Sequence, residues 1–466
     1  MLSATPLCGT PYKRQLDLKG HAVNKQLAKL CSGLELAPVN KDEKPGRWVK
    51  CASGCVVPSP SVAAYETLVT FAIGTDSEGQ ASCGFYVSAS SGVARQHPAS
   101  SSSPLASPSS SLNAGGECYP VGSPASCLNV SRAAKLIAKS FTKYLRGTWN
   151  TLPVYNAKTR TGFWKCVVVK EGLPYPDACT ASWKLSHGEG TRSSRALLID
   201  VHVNVHGISD SKKDGLTLQR HRMELASLLR SDTQKASFCF VQDVRFTNAI
   251  TGLQLHPGVL VPTFSANATN AYVVHRVLGK PIAVGVGVRF PSNVASAENF
   301  YQRLPEMLGI KASSSSAGIL LDIYCGSGVV SVLLAHLFSR CLGIDENSDA
   351  VATASLNAAL NGVENAAFAE GDVVAELENL VASERCPLVT CIVTAPRRGA
   401  SKLLMRKIAA CTFVQRVLYV CTKPDIAVRD ARELLPAFTP RNAWAFDFSP
   451  HTTLAEMAVL LQRTSA

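Results

Sequence analysis

The hydrophobic and polar positions of this chain fall into three regimes. From Ala317 onward, short and fully apolar runs alternate with helical stretches. The runs are GILLDIYCG from Gly318, SRCLGIDE from Ser339, LVTCIVTAP from Leu388 and RVLYVCTKP from Arg416. Between them lie VVSVLLAHLF from Val329 and AVATASLNAALNG from Ala350. Strands without polar alternation are buried on both faces, and strand–helix alternation builds a parallel, doubly wound sheet. Between Ala196 and Phe290, apolar runs such as ALLIDVHVNV, SFCFVQDVRF and PIAVGVGVRF are broken by Gly, Asn and Asp, which predicts a β-rich or mixed region. Nearer the start, VTFAIGTDSEGQASCGFYVSA from Val69 predicts two strands around a glycine-containing turn. Arg132, Lys135, Lys139 and Lys143 recur at three- and four-residue spacing, so one face of a predicted helix carries them all.

Composition sharpens this picture. A chain of 466 residues that is 46% hydrophobic has room for two to four domains with cores, and it is not wholly disordered. No window offers the eighteen uninterrupted apolar residues of a spanning helix, so a membrane partner is not expected. Forty-seven Lys and Arg against thirty-four Asp and Glu leave a net +13, which favours a polyanionic partner, nucleic acid first. Between Ser131 and Lys170 there are nine basic residues and no acidic one. Phe141, Tyr144, Trp149, Tyr155, Phe163 and Trp164 are interleaved with them. Such a stripe suits phosphate neutralisation with base stacking, and equally a solvated amphipathic helix whose aromatics face the core.

Other features bound the setting. The Ser/Pro-rich run from Gln96 to Gly116 reads as a flexible insertion. Sixteen scattered cysteines argue for a reducing compartment and against a disulfide framework. Cys51 and Cys55 form a lone close pair with no matching ligands, so loop or core thiols are weighed there against zinc, and no metal is assigned. The basic, acid-poor start could pass for an organelle presequence. Cytoplasm, nucleus and mitochondrion are all compatible with the chain. Three regions are expected: a mixed N-terminal part over residues 1–130, a β-rich, RNA-facing centre over 131–312, and an α/β Rossmann-like domain over 313–466.

The C-terminal region contains a candidate cofactor site. In DIYCGSG, Asp322, Tyr324, Gly326 and Gly328 sit at the end of the first strand and the start of the next helix. Glycines there let backbone approach a ligand closely. Asp345, in GIDE at the end of the following strand, is placed to accept ribose hydroxyls. Spacing alone does not separate a dinucleotide from S-adenosylmethionine. The D-x-Y-C-G-x-G form followed by N-A-x-x-N-G at Asn357–Gly362 favours the methyl donor, with structural tight turns as the bland alternative.

At these residues the chain resembles the RNA 5-methyluridine methyltransferases, above all the eukaryotic tRNA (uracil-5-)-methyltransferases. TPLCGTPYKRQLDLK resembles that family's T-P-L-x-x-x-P-Y-x-x-Q-L-x-x-K start, and LPVYNAKTRTGFWK resembles its P-V-Y-d-x-x-T-x-x-G-x-W-R/K strand. FDFSPHTTLAEMAVLL is similar to the closing D-x-F-P-x-T-x-H-x-E segment. The likeness of the first fifteen residues to the family weakens the presequence reading. The resemblance implies a class I methyltransferase fold and S-adenosylmethionine held by Asp322, Tyr324, Gly326, Gly328, Asp345, Asp372 and Thr394. It further implies RNA as partner, tRNA first and rRNA second, contacted through Lys135, Lys139, Lys143, Arg160, Trp164, Asn293 and Arg397. Oligomeric state is not implied.

The family's chemistry uses a cysteine thiolate that adds to uracil C6, after which C5 takes the methyl and a base removes the C5 proton. The family's Y-V-S-C-N-P segment reads Tyr419-Val420-Cys421-Thr422-Lys423-Pro424 here. Thr422 therefore stands at the nucleophile position. Cys421 falls one residue early, where strand alternation aims it at the opposite face. Glu456 stands at the proton-abstracting position, after Pro450. The D-P-P-R-x-G loop has become TAPRRG, with Thr394 for the acid. F-F-Q-V-N has become RFPSN, with Pro291 for the glutamine and Asn293 kept, a register preferred over TFSAN at Thr263–Asn267. The Y-R-N-K segment is Tyr65-Glu66-Thr67-Leu68. Donor-side features persist while acceptor-side groups change. The expectation is an RNA- and S-adenosylmethionine-binding protein with uridine C5 methylation weakened or lost, serving as an RNA chaperone or assembly factor. Its rival is an active methyltransferase using Thr422 or a displaced Cys421, with Glu456 as base.

Overall fold

In the computed structural model, the described residues are 5–31, 56–87, 119–148, 150–175, 195–205, 215–249, 254–255, 272–310, 318–372, 375 and 388–464. The Ser/Pro-rich run, Cys51, Cys55, Trp149 and the TFSAN segment lie outside them. The chain divides into two compact units. One comprises Met1–Gly9, Val62–His275 and Ala283–Val286; the other comprises Thr10–Ser61, Arg276–Ile282 and Gly287–Ala466. The expected boundaries at 130 and 312 are thus corrected. Residues on both sides of 130 pair in one sheet, and Gly287–Ile310 packs with the C-terminal unit, as does most of the N-terminal motif. No described helix is long and apolar enough to cross a membrane.

The first unit is a sheet with helices on one face. Its strands are β1 (Leu68–Thr75), β2 (Ala81–Tyr86), β3 (Val121–Gly122), β4 (Trp164–Pro174), β5 (Arg195–Val203), β6 (Cys239–Asn248) and β7 (Gln254–Leu255). They run in the order β3-β2-β1-β4-β5-β6-β7. A further strand, β8 (Tyr272–Val277), pairs with β4 and with β9 (Lys280–Gly285). The basic helix is α2 (Arg132–Arg146), numbered after an N-terminal helix α1 (Tyr12–Cys31). Ser131 caps α2, its hydroxyl accepting from the Ala134 N–H at 3.1 Å. Ile137, Ala138, Phe141 and Tyr144 face the core, whereas Arg132, Lys139 and Lys143 are exposed and Lys135 is half-buried. A second helix, α3 (Gly215–Ala236), packs beside α2.

Four of the aromatics between the basic residues belong to the core, whereas Tyr155 is half-buried beneath Lys165. Phe141, Tyr144, Phe163 and Trp164 are each 0% exposed. Trp164 packs edge-on against Phe163, Tyr144 and Phe141 at ring separations of 4.8, 5.8 and 5.9 Å, and its indole N–H donates to Asn150 Oδ1 at 3.0 Å. Both faces and the polar edge of the ring are therefore committed, so Trp164 does not stack on a nucleobase. The segment compared with Y-R-N-K is likewise turned inward: Tyr65 and Glu66 are buried, and Asn129 donates to Glu66 at 2.8 Å.

The second unit is the doubly wound sheet. The strands β10 (Ile319–Ile323), β11 (Arg340–Asp345), β12 (Ala366–Glu370), β13 (Val389–Thr394) and β14 (Val414–Cys421) are parallel. An antiparallel pair, β15 (Phe438–Phe446) and β16 (Glu456–Arg463), completes the order β12-β11-β10-β13-β14-β16-β15. The helices include α4 (Val294–Met307), α5 (Val329–Leu334), α6 (Ser348–Leu360), α7 (Lys402–Ala410) and α8 (Pro424–Ala431).

Helix α1 joins this sheet through one face that is apolar at one end and polar at the other. Val23, Leu27 and Leu30 enter the core, while Tyr12, Gln15 and Lys19 meet the loop after β15. The Lys19 ammonium donates to Asp447 Oδ1 at 2.6 Å and to the Ser449 carbonyl at 2.9 Å, with both charged side chains almost wholly buried. Gln15 Oε1 accepts from the His451 N–H at 2.7 Å, and the Tyr12 hydroxyl accepts from the Ser59 N–H at 2.8 Å. Ser296 on α4 donates to the Asp447 carbonyl at 2.9 Å. Burial pushes the Lys19 pKa down and Asp447 pulls it back up. Removing one member of such a pair strands the other charge in the interior. Lys19→Met is therefore expected to lower unfolding free energy in urea by about 3–5 kcal/mol, most of it recovered when Asp447→Leu is added. A loss below about 1 kcal/mol, the size of an exposed pair, would contradict this.

Candidate active site

The carboxyl ends of β10, β11, β13 and β14 form one edge of the sheet, where open α/β folds bind ligands. Tyr324, Asp345, Thr394 and Thr422 stand there in turn. Gly326 adopts a left-handed φ of 53°, and its N–H donates to Asp345 Oδ2 at 2.9 Å. Asp345 Oδ1 accepts from the Asn347 N–H at 3.0 Å, so one half-buried carboxylate holds two turns together. A Cβ at Gly326 would meet nothing nearer than the Arg289 carbonyl at 3.8 Å, which leaves room for a ligand against this backbone. Gly328 differs. With φ 71°, a Cβ there would lie 2.8 Å from the Ala354 Cβ and 3.0 Å from the Phe368 ring, so this glycine serves helix–strand packing and not a ligand.

Asp322 is buried beneath the turn. Its Oδ2 accepts from the Ser331 hydroxyl at 2.8 Å and from the Ser331 N–H at 3.2 Å, while Oδ1 is buried with no partner. Burial raises the carboxyl to about 6 against the opposing pull of the Ser331 hydrogen bonds. The open left-handed turn, the half-exposed Asp345 and the unpartnered Asp322 oxygen together fit a ligand with hydroxyl and ammonium donors, as S-adenosylmethionine is. Asp372 and Thr394 lie exposed at this edge, and Asp372 Oδ1 accepts from the Ala375 N–H at 3.1 Å. Tyr324, at φ 60°, is half-buried against the core in the field of Glu346, Asp372 and Asp345. Sequence reasoning missed Arg289, which sits in the field of Asp345 and Glu346.

The acceptor side lies at the ends of β14 and β16. Cys421 pairs with Met457 in the antiparallel register, which brings Glu456 beside Thr422. The Thr422 hydroxyl donates to the Glu456 carboxylate. Burial pushes Glu456 up to about 7, opposed by the Arg397 guanidinium and by the Thr422 hydrogen bond. Cys421 is 1% exposed within the core, and burial drives its thiol up to about 12. The displaced-cysteine expectation is thus corrected: this thiol neither faces the edge nor ionises near neutral pH. Cys325, the other thiol here, is also buried and pushed up. Buried Tyr301 feels both Asp322 and Glu456, which ties the two sides together.

The loop bearing Arg397 is held from below. Asp430 accepts from the Ala400 N–H at 2.8 Å and from the Tyr419 hydroxyl, and Arg429 donates to the Arg398 carbonyl at 2.8 Å. Gly399, at φ 85°, has Asp430 Oδ2 only 2.2 Å from where a Cβ would stand. Asn293 is buried, capping α4 through the Ser296 N–H at 3.1 Å and donating to Ser59 at 3.0 Å, so its amide is spent inside the protein and not on RNA. Lys135, Lys139, Lys143 and the exposed Arg160, at φ 58°, belong to the first unit.

A carboxyl raised in the folded state is proton-hungry there, so its contribution to stability falls as pH rises from about 4.5 to about 7. Glu456→Gln is expected to melt higher than the parent at pH 8, with the gap closing toward pH 5. A gap independent of pH would mean that Glu456 ionises normally.

Comparison with known proteins agrees with this geometry. A family profile described as "Methyltransferase domain" matches residues 314–432. An uncharacterized RNA methyltransferase of Caldanaerobacter subterraneus is 24% identical, covering 87% of this chain and 74% of that protein. The tRNA (uracil-5-)-methyltransferase homolog A of Mus musculus is 24% identical, covering 98% and 68% respectively. The Pyrococcus abyssi tRNA (uracil-54, C5)-methyltransferase, solved with S-adenosyl-L-homocysteine, shares the fold at a TM-score of 0.59 and 17% identity, covering 99% of this chain and 85% of that one. The chain is a class I methyltransferase-fold relative of the RNA (uracil-5-)-methyltransferases, similar to them along nearly its whole length.

Proposed function

We propose that this protein binds S-adenosylmethionine at the Gly326–Asp345 turn and binds RNA, tRNA first and rRNA second, while its methylation of uridine C5 is weakened or lost. One observation carries the reading: a hydroxyl hydrogen-bonded to a carboxylate stands where the family chemistry needs a thiolate, beside a donor side with room for a ligand. Bound S-adenosylmethionine supplies an electrophilic methyl group on a sulfonium. On the chain's side, Asp345 orients a ribose through its remaining lone pairs, and the free oxygen of Asp322 accepts from a buried donor. Glu456 holds or takes a proton near neutral pH, and Arg397 keeps part of it ionised. A threonine hydroxyl is a far weaker nucleophile than a thiolate, so uracil C6 is not attacked at a useful rate. The role on folded RNA is then one that needs no C5 transfer, such as folding or assembly.

A second reading keeps C5 transfer, with Thr422 as nucleophile and Glu456 as its base; the hydrogen bond between them favours it. Against it stands the poor acidity of a hydroxyl beside a carboxyl of pKa about 7.

Calorimetric titration with S-adenosylmethionine is expected to show micromolar binding that Asp345→Ala abolishes. No binding by the parent protein would sink the cofactor half of the reading. RNA affinity is expected to fall steeply with salt, and neutralising Lys135, Lys139 and Lys143 together to flatten the log–log slope by about 2. An unchanged slope would return that stripe to a plain solvated face.

A further inference from the structure

The acceptor side keeps a proton acceptor and, among the described residues, has no exposed thiol at the sheet edge to make a ring carbon reactive. The β14–β16 register sets Glu456 beside Thr422 at the sheet edge, with the Arg397 charge acting on the carboxylate; Cys421 lies in the core and Cys325 is buried. We propose that the methyl acceptor at this corner is a ring N–H flanked by a carbonyl, as in uracil N3–H or guanine N1–H, and not a carbon. The inference rests on the S-adenosylmethionine- and RNA-binding reading above.

The chemistry follows from what each atom still has to offer. A uracil C5–H has no lone pair and becomes nucleophilic only after covalent addition at C6, which requires the missing thiolate. A lactam nitrogen needs only to lose its proton. The Thr422 proton is committed to Glu456, so Thr422 Oγ1 and the carboxylate together present acceptor lone pairs, which suits an incoming N–H donor. The Arg397 guanidinium beside them is donor-only and suits the neighbouring carbonyl. Exposed Lys423 and Arg398, where the family motifs have Asn and a variable residue, add positive charge for the flanking phosphates. In the transfer, the N–H proton passes to a Glu456 carboxylate oxygen. The electron pair left on nitrogen forms the new N–CH3 bond, while the S–CH3 bond breaks with its pair staying on sulfur. The products are the N-methyl base, S-adenosylhomocysteine and a protonated Glu456. Arg397, which favours the ionised carboxylate, keeps the base available as pH falls toward about 7.

Two measurements test this. In the first, the full chain is incubated with methyl-labelled S-adenosylmethionine and unmodified tRNA transcripts, and the digested nucleosides are resolved by mass spectrometry. The label is expected on a ring nitrogen, as N3-methyluridine or N1-methylguanosine, with no 5-methyluridine. Thr422→Cys, which restores a thiol at the edge, is expected to add 5-methyluridine to the products. In the second, no donor is present. Binding of stem-loop RNA oligonucleotides is compared when they carry N3-methyluridine or N1-methylguanosine, 5-methyluridine, or unmodified bases. Blocking the ring N–H should weaken binding about tenfold, the loss of one buried donor, whereas a C5 methyl should not. In Glu456→Ala that difference should collapse. 5-Methyluridine as the product of the parent protein would overturn the proposal, as would equal binding of all the oligonucleotides. Calorimetric binding of S-adenosylmethionine together with salt-dependent RNA binding but no methyl incorporation would overturn it while leaving the underlying reading intact. Failure of S-adenosylmethionine to bind would overturn both.

Discussion

The buried Lys19–Asp447 ion pair is the constraint on which the second unit depends. It joins the first helix to the loop between the last two strands, residues 428 positions apart in the chain. A charge pair of this kind is tolerable only when its remaining hydrogen-bonding capacity is used. Here Ser449 uses part of it, its carbonyl accepting from Lys19 and its N–H donating to Asp447 Oδ1, while Asp447 Oδ2 is buried without a partner. The same loop runs on into β16, whose first residue is Glu456. Tyr12, Gln15 and Lys19 form a polar seam between the first helix and the segment that leads into the carboxylate of the acceptor side.

Donor and acceptor functions share the sheet edge but rest on different parts. The donor side needs backbone that turns sharply, and Gly326 with the bridging Asp345 provides it at the ends of β10 and β11. The acceptor side needs a particular side chain at one position of β14 and one of β16. Strand alternation makes that side brittle: shifting a thiol by one residue moves it from the edge into the core, as Cys421 shows. The Thr422–Glu456 pair is what remains at the edge, and its proton chemistry differs in kind from that of a thiolate.

Much of this was legible in the sequence. Four of the five parallel strands and two of their helices follow from the apolar runs, whereas β12, whose residues are half-buried or exposed, does not; Asp345 and Gly326 follow from a turn that needs a bridging acid and a left-handed residue. The domain boundaries did not follow, because α1 and the Gly287–Ile310 segment pack on a sheet remote from them in sequence. Trp164 was misread because an aromatic among lysines looks the same whether it faces solvent or core. Only its ring of aromatic neighbours decides, and β-strand pairing assembles that ring. Asn293 carried a local signal that went unused: an asparagine three residues before a buried serine N–H, at the start of a helix, is a cap. Gly328 looked equal to Gly326 because packing against Ala354 and Phe368 has no local signature.

The most direct test of the account asks whether any residue of this protein adds covalently to uracil. RNA containing 5-fluorouridine, which traps a nucleophile attached at C6 because the C5 fluorine cannot leave as a proton does, is incubated with the protein and S-adenosylmethionine and then analysed by denaturing mass spectrometry. The account predicts free protein and RNA with no adduct, and an adduct from Thr422→Cys. An adduct formed by the parent protein, mapped to Thr422 or Cys421, would contradict it.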